Sequence, residues 1–498
     1  MATNLLHGFG HNRITMLNHL MKLILILLLI FTPVAFGSVE LWAFSLMELG
    51  ILLILSLWAI QSLFMPMIGD SKCPPPQSEK SKPFLSRQFE ICNLKFAIPF
   101  LLLSLFLLLI LFQMLPLAPD ILKIVSPQTF FLRQQLLLTT DQLPMTTLSF
   151  VPFLTQIEFL KWLTLIGLFL FLLRWRYLDT RTTQWMILVI FGVGVFESLY
   201  GMFEFFSGHK HILHLKMDHL ISSVTGTFIN RNAFAGYLLM VTPLSMGYLF
   251  SREPHAMGQL LGLRNRLSSL DGKSLLIAFG IVLMILSLLF SASRMGIGSL
   301  LLSFSLISIL FRNPQGSKKL SRPTILILGL ALLWAAWIGL DAVISRFFTT
   351  SESFEDRWKF WLITSQIIKD FPLFGSGLGT FTQVFPMYRS FHIRALVTHA
   401  ENDLLQLASE VGLIGAGLLL VLFIYLFYRA ISGLRFLSYR DPERYIAMGG
   451  LIGILALMFH SLVERNIQIP ANALLYVLIW ALILRTTNNK EKSNSMTQ

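Results

Sequence analysis

Charge is scarce in this sequence. Only 13% of its 498 residues are charged, about half the share of an ordinary soluble domain. So few charges could not solvate a chain of this length, which excludes a soluble enzyme. Cysteine is nearly missing too: Cys73 and Cys92, both in one basic connection, give neither a disulfide framework nor a metal-ligand spacing. There is no G-x-G-x-x-G fingerprint and no P-loop lysine. The net charge of +13 is not gathered into a basic, aromatic-interleaved patch of domain size, which argues against nucleic acid as a partner.

Apolar residues fill the space instead. They make up 55% of the chain, with 43 Phe and 20 Met, and the mean hydropathy is +0.69. Windows of roughly 17–25 apolar residues predict an all-α polytopic membrane protein with about 12 transmembrane helices. They fall near 20–38, 43–65, 96–115, 159–175, 184–206, 233–250, 274–292, 296–311, 324–340, 411–428, 446–462 and 471–484. The first resembles a signal peptide at Ala35-Phe36-Gly37-Ser38, but a second span follows after a few residues, so it reads as a retained anchor.

With the N-terminus inside, most of the 39 Lys and Arg residues lie in short connections on one side. The positive-inside rule makes that side cytoplasmic and places both termini there. The chain then divides into a cytoplasmic N-terminus (1–19), nine helices (20–340) with an outer loop near 116–158, a partly helical outer loop (341–410), three helices (411–484) and a cytoplasmic tail (485–498). Loops as long as the two outer ones usually carry function.

The second outer loop holds most of the candidate chemistry. Ser353 is placed to cap a helix whose apolar face is Trp358, Trp361, Ile363, Ile367 and Ile368. Arg357 in its first turn opposes the helix dipole, which suggests either an anionic partner or an ion pair with Glu352 or Glu355. Asp370-Phe371-Pro372 stops that helix, and Gly375, Gly377 and Gly379 read as a flexible turn. Beyond it, a helix starting at His399 would carry His399, Asn402, Asp403, Gln406 and Glu410 on one polar stripe. Such a stripe faces protein or a water-filled cavity, not lipid. Either His399 or Glu401 is placed to act as a general base. Arg294, between two spans at the outer face, is a site candidate because an intramembrane arginine is costly. Arg231, between Asn230 and Asn232, has the same position. Arginine forks suit pyrophosphate and stabilise charge developing on a leaving group. Together these groups fit attack by an acceptor hydroxyl on a diphosphate-linked substrate.

These residues also carry a resemblance. Gly226 through Gly236, Ser291-Ala292-Ser293-Arg294, Arg357-Trp358 with Pro372 through Gly379, His399 through Gly415, and His460 through Glu464 with Ile469 through Asn472 occur in the order seen in the bacterial O-antigen ligase/polymerase family. The chain resembles that family over roughly 220–475, and its first third is similar only in span layout. The resemblance implies a metal-independent, cofactor-free glycosyltransferase of the bacterial inner membrane, acting on its periplasmic side. Its donor would be a glycan on undecaprenyl diphosphate, and its acceptor lipid A core, a growing glycan or a protein. Carried over, Arg294 and Arg357 would hold the diphosphate, helped by Arg231 and Arg389. Asn402, Asp403, Gln406, Asn230, Asn232 and His460 would support them. The sequence departs from many ligases at Glu401, which stands directly before Asn402 where they have His, and His399 comes two positions earlier.

Other features point elsewhere. Glu197 and Glu204 share a face of one span, and His460 precedes Glu464 by four. Such pairs are raw material for proton-coupled transport, so the alternative is a transporter of a small anion such as bicarbonate or of a lipid-linked glycan. No repeated half with a matching interrupted helix supports it. The cluster His209, His211, His214, Asp218 and His219 matches no standard zinc spacing and reads as an exposed polar loop.

Overall fold

The computed structural model describes residues 2–64, 94–135, 144–209, 211–216, 223–252, 271–310, 352–391, 397–438 and 440–495. Fifteen α-helices lie within them: α1 (Ala2–Val34), α2 (Leu41–Phe64), α3 (Leu94–Met114), α4 (Pro119–Val125), α5 (Pro127–Gln135), α6 (Pro152–Arg174), α7 (Thr180–Ser207), α8 (Arg231–Arg252), α9 (Gly272–Phe290), α10 (Arg294–Leu310), α11 (Glu352–Asp370), α12 (Phe381–Tyr388), α13 (Asp403–Phe436), α14 (Pro442–His460) and α15 (Pro470–Ser495). Two antiparallel strand pairs of two residues each, Pro116–Leu117 with Thr146–Thr147 and His211–Ile212 with Leu215–Lys216, are confined to loops. Ten of the described helices are long and apolar enough to cross a membrane, and they correspond to ten of the twelve expected spans. The eighth is the shorter α10. The ninth, at 324–340, lies outside the described residues, as do Cys73, Cys92, Asp218 and His219.

The centre of the bundle is α8, whose most apolar stretch is 94% buried, against 28% for α2. Small residues explain the position. A Cβ on Gly449 of α14 would lie 3.1 Å from the Gly247 Cα, and one on Gly453 would lie 3.0 Å from the Met240 Cα. The two backbones therefore meet almost directly, as small residues allow between membrane helices. Side chains from α7, α9, α14 and α15 join α8 in one continuous core.

Connections alternate between two faces. On the loop-rich face, Thr227 Oγ1 donates to the Pro33 carbonyl at 2.9 Å, Val224 N–H to Phe290 at 3.1 Å and Phe150 N–H to Ser376 at 3.1 Å. The opposite face is basic, and its arginines close helix ends. Arg485 donates to the carbonyls of Leu172 (2.9 Å), Trp175 (2.8 Å) and Leu178 (3.1 Å) beyond the end of α6. Arg444 does the same for Leu434 and Leu437 at the end of α13. A guanidinium satisfies the orphan carbonyls that every helix C-terminus leaves.

Over the loop-rich face lies a layer formed by α11, α12 and the 371–380 turn. Ile363, Ile367, Phe371, Phe381, Val384 and Phe385 make its own small core. α11 runs from Glu352, so Ser353, expected as its cap, falls within the helix. Trp358 is 53% exposed and not on the packed face expected of it. The glycine turn is not flexible either. Gly375, Gly377 and Gly379 take φ of 72°, 111° and 81°, and Gly375 through Leu378 are buried. Gln113 of α3 clamps the turn, donating to the Phe374 (2.6 Å) and Glu410 (2.8 Å) carbonyls and accepting from Leu378 N–H at 3.1 Å.

α13 changes partner where it meets this turn. Gly412 sits at φ 68°, ψ 178°, a region open essentially to glycine alone, and Leu413 N–H turns outward to the Pro372 carbonyl at 2.8 Å. A side chain at Gly412 would collide with the Leu373 carbonyl, whereas Gly417, one turn on, has open space. Gly412→Ala should cost about 3 kcal/mol and lower the thermal midpoint of the detergent-purified protein, while Gly417→Ala leaves it unchanged or raised. Equal midpoints for the two variants would remove the turn's hold on α13.

Candidate functional site

The site is organised by the nine-residue turn between α14 and α15, residues 461–469. Its first residues continue α14, with Ser461 N–H to the Leu457 carbonyl at 2.8 Å and Val463 N–H to His460 at 3.1 Å. Three distant segments then dock on it. Asn402, the N-cap of α13, accepts from Leu405 N–H at 3.0 Å and donates through Nδ2 to the Leu462 carbonyl at 2.6 Å. The buried carboxylate of Asp403 accepts from Asn466 N–H at 2.8 Å and Ile467 N–H at 2.9 Å. Arg357 of α11 forms a 2.5 Å ion pair with Glu464 and donates to the Val463 carbonyl at 3.4 Å. His460 Nε2 meets Ser293 Oγ at 3.2 Å, which brings the Ser291–Arg294 turn alongside.

The resulting neighbourhood gathers most of the residues singled out in the sequence. Asn232 hydrogen-bonds Glu464 through its side chain, and Asn230 Oδ1 accepts from Asn232 N–H at 2.7 Å at the start of α8. Arg231 and Arg294 are half-buried first residues of α8 and α10. Arg389 does not join them: it is exposed beyond the end of α12. Because α13 starts at Asp403, the expected stripe holds only for Asp403, Gln406 and Glu410, and His399 and Glu401 stand ahead of the helix. Gln406 ties the two parts together. It donates to Glu410 at 3.2 Å, accepts from Ala400 N–H at 3.0 Å and lies 3.5 Å from His399 Nδ1. Glu410 in turn accepts from Gly379 N–H at 3.0 Å and Phe381 N–H at 3.3 Å, which fixes the glycine turn to the same helix.

The charges are unevenly committed. Asp403 is bound to backbone amides and Glu464 to Arg357. Burial pushes the Glu464 carboxyl above its usual range, while Arg357 pulls it back. Glu401 is half-buried and has a backbone φ of 51°. A non-glycine residue in that region stores strain, and such residues cluster at functional sites. Its near charges include Arg465 and Glu464. Burial and the Arg465 charge hold His399 neutral, with its pKa lowered to about 3. The imidazole is thus available as a hydrogen-bonding group but is a weak base. Beneath the turn, His460 Nδ1, Asn466 Oδ1 and Nδ2, and Asn472 Oδ1 are buried without a hydrogen-bond partner among the described residues. Orphaned polar atoms of this kind call for water or a polar ligand.

A further cation of this neighbourhood, Arg465, escapes a reading of the sequence. It is half-buried, facing Glu401, Asp403 and Glu464, and burial lowers its pKa against their opposing charges. One cation in a short turn carries no local signal, because two of its three acidic neighbours, Glu401 and Asp403, lie about sixty residues earlier. Gln113 went unread for the same reason.

Features that pointed elsewhere have structural roles. Glu197 is buried and accepts from Thr227 N–H and Thr227 Oγ1, both at 2.7 Å, which ties α7 to the loop before α8. Glu204 pairs with His209 at 3.0 Å. His211 stacks on His209 at 4.5 Å and His214 packs edge-on against Phe36 at 5.7 Å. Among the described residues no group of three His, Cys, Asp or Glu side chains is placed to hold a metal.

The shifted His399 makes a pH signature. The folded protein protonates it only near pH 3, whereas an unfolded chain does so near 6.5. Between those values the unfolded state binds more protons, so this residue's contribution to stability is present above about pH 6.5 and is lost as pH falls. Glu464 acts in the opposite sense but equally in both proteins, so it cancels in a comparison. Relative to His399→Gln, the wild type should lose up to about 1.4 kcal/mol per pH unit between about pH 6 and 4. Parallel stability profiles would mean that the imidazole is hydrated.

No curated protein matches the chain. Residues 279–420 match the family model described as O-antigen ligase, a stretch that includes Arg294, Arg357, His399, Glu401 and Asn402 but not the 461–469 turn on which they converge. Over that segment the chain is similar to the O-antigen ligase family.

Proposed function

We propose that the protein is a metal-independent membrane glycosyltransferase that moves a glycan from undecaprenyl diphosphate to an acceptor hydroxyl. The acceptor would belong to lipid A core, a growing glycan or a protein. The reaction runs on the loop-rich face, which is periplasmic if the basic face obeys the positive-inside rule. Both termini are then cytoplasmic, and the membrane is the bacterial inner membrane. The observation that carries this reading is the convergence of Arg357, Glu401, His399 and the Arg294 turn on residues 461–469 at one end of the helical bundle.

In this mechanism the acceptor hydroxyl loses its proton to Glu401 and attacks the anomeric carbon from the side opposite the carrier, so that carbon inverts. The bond from the anomeric carbon to the diphosphate oxygen breaks, and undecaprenyl diphosphate leaves with the bonding electrons. Arg357 and Arg294, with Arg231 at the start of α8, offset the charge that develops on it. Glu464 holds the Arg357 guanidinium in place. Glu401 is preferred to His399 as the base because a histidine with pKa near 3 is poorly matched to proton removal at neutral pH. His399 then orients the acceptor through its link to Gln406.

Transfer in a deletion strain tests the assignment, with glycan on lipid A, glycan chain length and unused donor read together. Arg357→Ala, Arg294→Ala and Glu401→Gln should each reduce transfer by about 100-fold or more without loss of membrane insertion, and donor should accumulate. His399→Gln should cost less than Glu401→Gln, and the reverse order would make His399 the base. Full-length but unattached chains would identify a ligase, and single repeats on the acceptor a polymerase. Wild-type transfer by both arginine variants would overturn the enzyme reading.

A further inference from the structure

Away from the site, the basic face contains a cavity of about 430 Å³ between the inner ends of α1 and α7. That is within the range of pockets that hold small molecules, and its lining changes character along its length. At the end nearer the basic face stand His19 and Lys22 from α1 with Arg181 and the single carboxylate, Asp179, from the start of α7; farther along the two helices, Leu25, Ile26 and Met186 make an apolar wall. Lys22 Nζ donates to Thr182 Oγ1 at 2.7 Å, so one of its three N–H groups pins the ammonium at the rim. Arg181 is exposed and makes no hydrogen bond or ion pair among the described residues.

The walls are preformed. Trp175 is fully buried and donates through Nε1 to Asn18 Oδ1 at 3.1 Å, while Arg485 holds the chain around it by donating to the Trp175 and Leu178 carbonyls. Trp185 stands 56% exposed on the outward side, the position of an interfacial aromatic belt. The N-terminus of α7 adds little, because Asp179 already caps it by accepting from Thr182 N–H at 2.9 Å.

We propose that this cavity binds the headgroup of an anionic phospholipid, with the phosphate between Lys22 and Arg181 and an acyl chain along Leu25, Ile26 and Met186. Basic rim, apolar wall and interfacial tryptophan follow one another in the order that such a lipid presents phosphate, glycerol and acyl chain. Basic pockets between helices on the cytoplasmic side are the usual form of headgroup sites. Free inorganic phosphate would satisfy the rim but leave the apolar wall unused. This site is independent of the transfer reaction.

The test uses the full-length protein in nanodiscs of phosphatidylcholine doped with phosphatidylglycerol, with retained lipid measured after detergent exchange. The wild type should retain phosphatidylglycerol over phosphatidylcholine. Lys22→Gln/Arg181→Gln should lower that preference by about tenfold or more, at about fivefold per basic residue. Arg440→Ala, an exposed cation on the same face, should leave it unchanged. Ile26→Trp keeps both charges but fills the apolar wall, so it should also release the lipid even if the double variant fails to fold. Retention equal to wild type in Ile26→Trp or in a folded double variant would overturn the proposal. So would displacement of the lipid by millimolar inorganic phosphate.

Discussion

The carboxylate of Asp403 is the constraint on which the loop-rich end of the molecule depends. It accepts two backbone amides from the 461–469 turn, Asn466 and Ile467, and its own N–H returns to the Ser461 carbonyl at 3.0 Å. A carboxylate buried without partners would cost several kcal/mol. Here its lone pairs satisfy N–H groups that the tight turn cannot pair internally. The start of α13 and the α14–α15 connection are thereby fixed as one unit. Arg357 can reach Glu464, and Asn232 can reach it from the other side, only because that unit holds the turn in register.

The same economy recurs wherever distant segments meet. Gln113, alone in an apolar helix, uses its amide on three backbone groups of two other segments. Glu197 performs a similar task for Thr227, and Arg444 and Arg485 close helix ends on the basic face. In a bundle of apolar helices, a side chain that satisfies backbone groups removes the cost of leaving them buried and unpaired. Asp403, Glu197, Glu410, Arg444 and Arg485 all serve such contacts.

How much of this was readable follows the range of the interactions. Spans depend on local hydropathy, and ten of them lie where apolar windows indicated. Arg294 stood out because an arginine between apolar spans is costly, Arg357 because a cation in a helix's first turn opposes the dipole, and the 399–410 segment because its polar residues run into an apolar span. Arg465 and Gln113 did not, since each gains its meaning from partners tens to hundreds of residues away. The glycine turn at 375–379 was misread for a related reason. Glycine permits both mobility and close approach, and only the neighbouring Gln113 and Glu410 decide between them. The stripe from His399 failed because Asn402 caps α13, and a helix periodicity cannot be extended past its cap.

The break at Gly412 has a mechanical consequence. A continuous helix carries bending along its length through its ladder of hydrogen bonds. In α13 that ladder hands over at Gly412, where Leu413 N–H bonds the Pro372 carbonyl outside the helix. Both sides of the break then hold the 371–380 turn, Glu410 through Gly379 N–H on one side and Leu413 N–H through the Pro372 carbonyl on the other. The break acts as a rivet: the hydrogen bonds that the helix gives up at Gly412 are the ones that fasten the outer layer to the bundle.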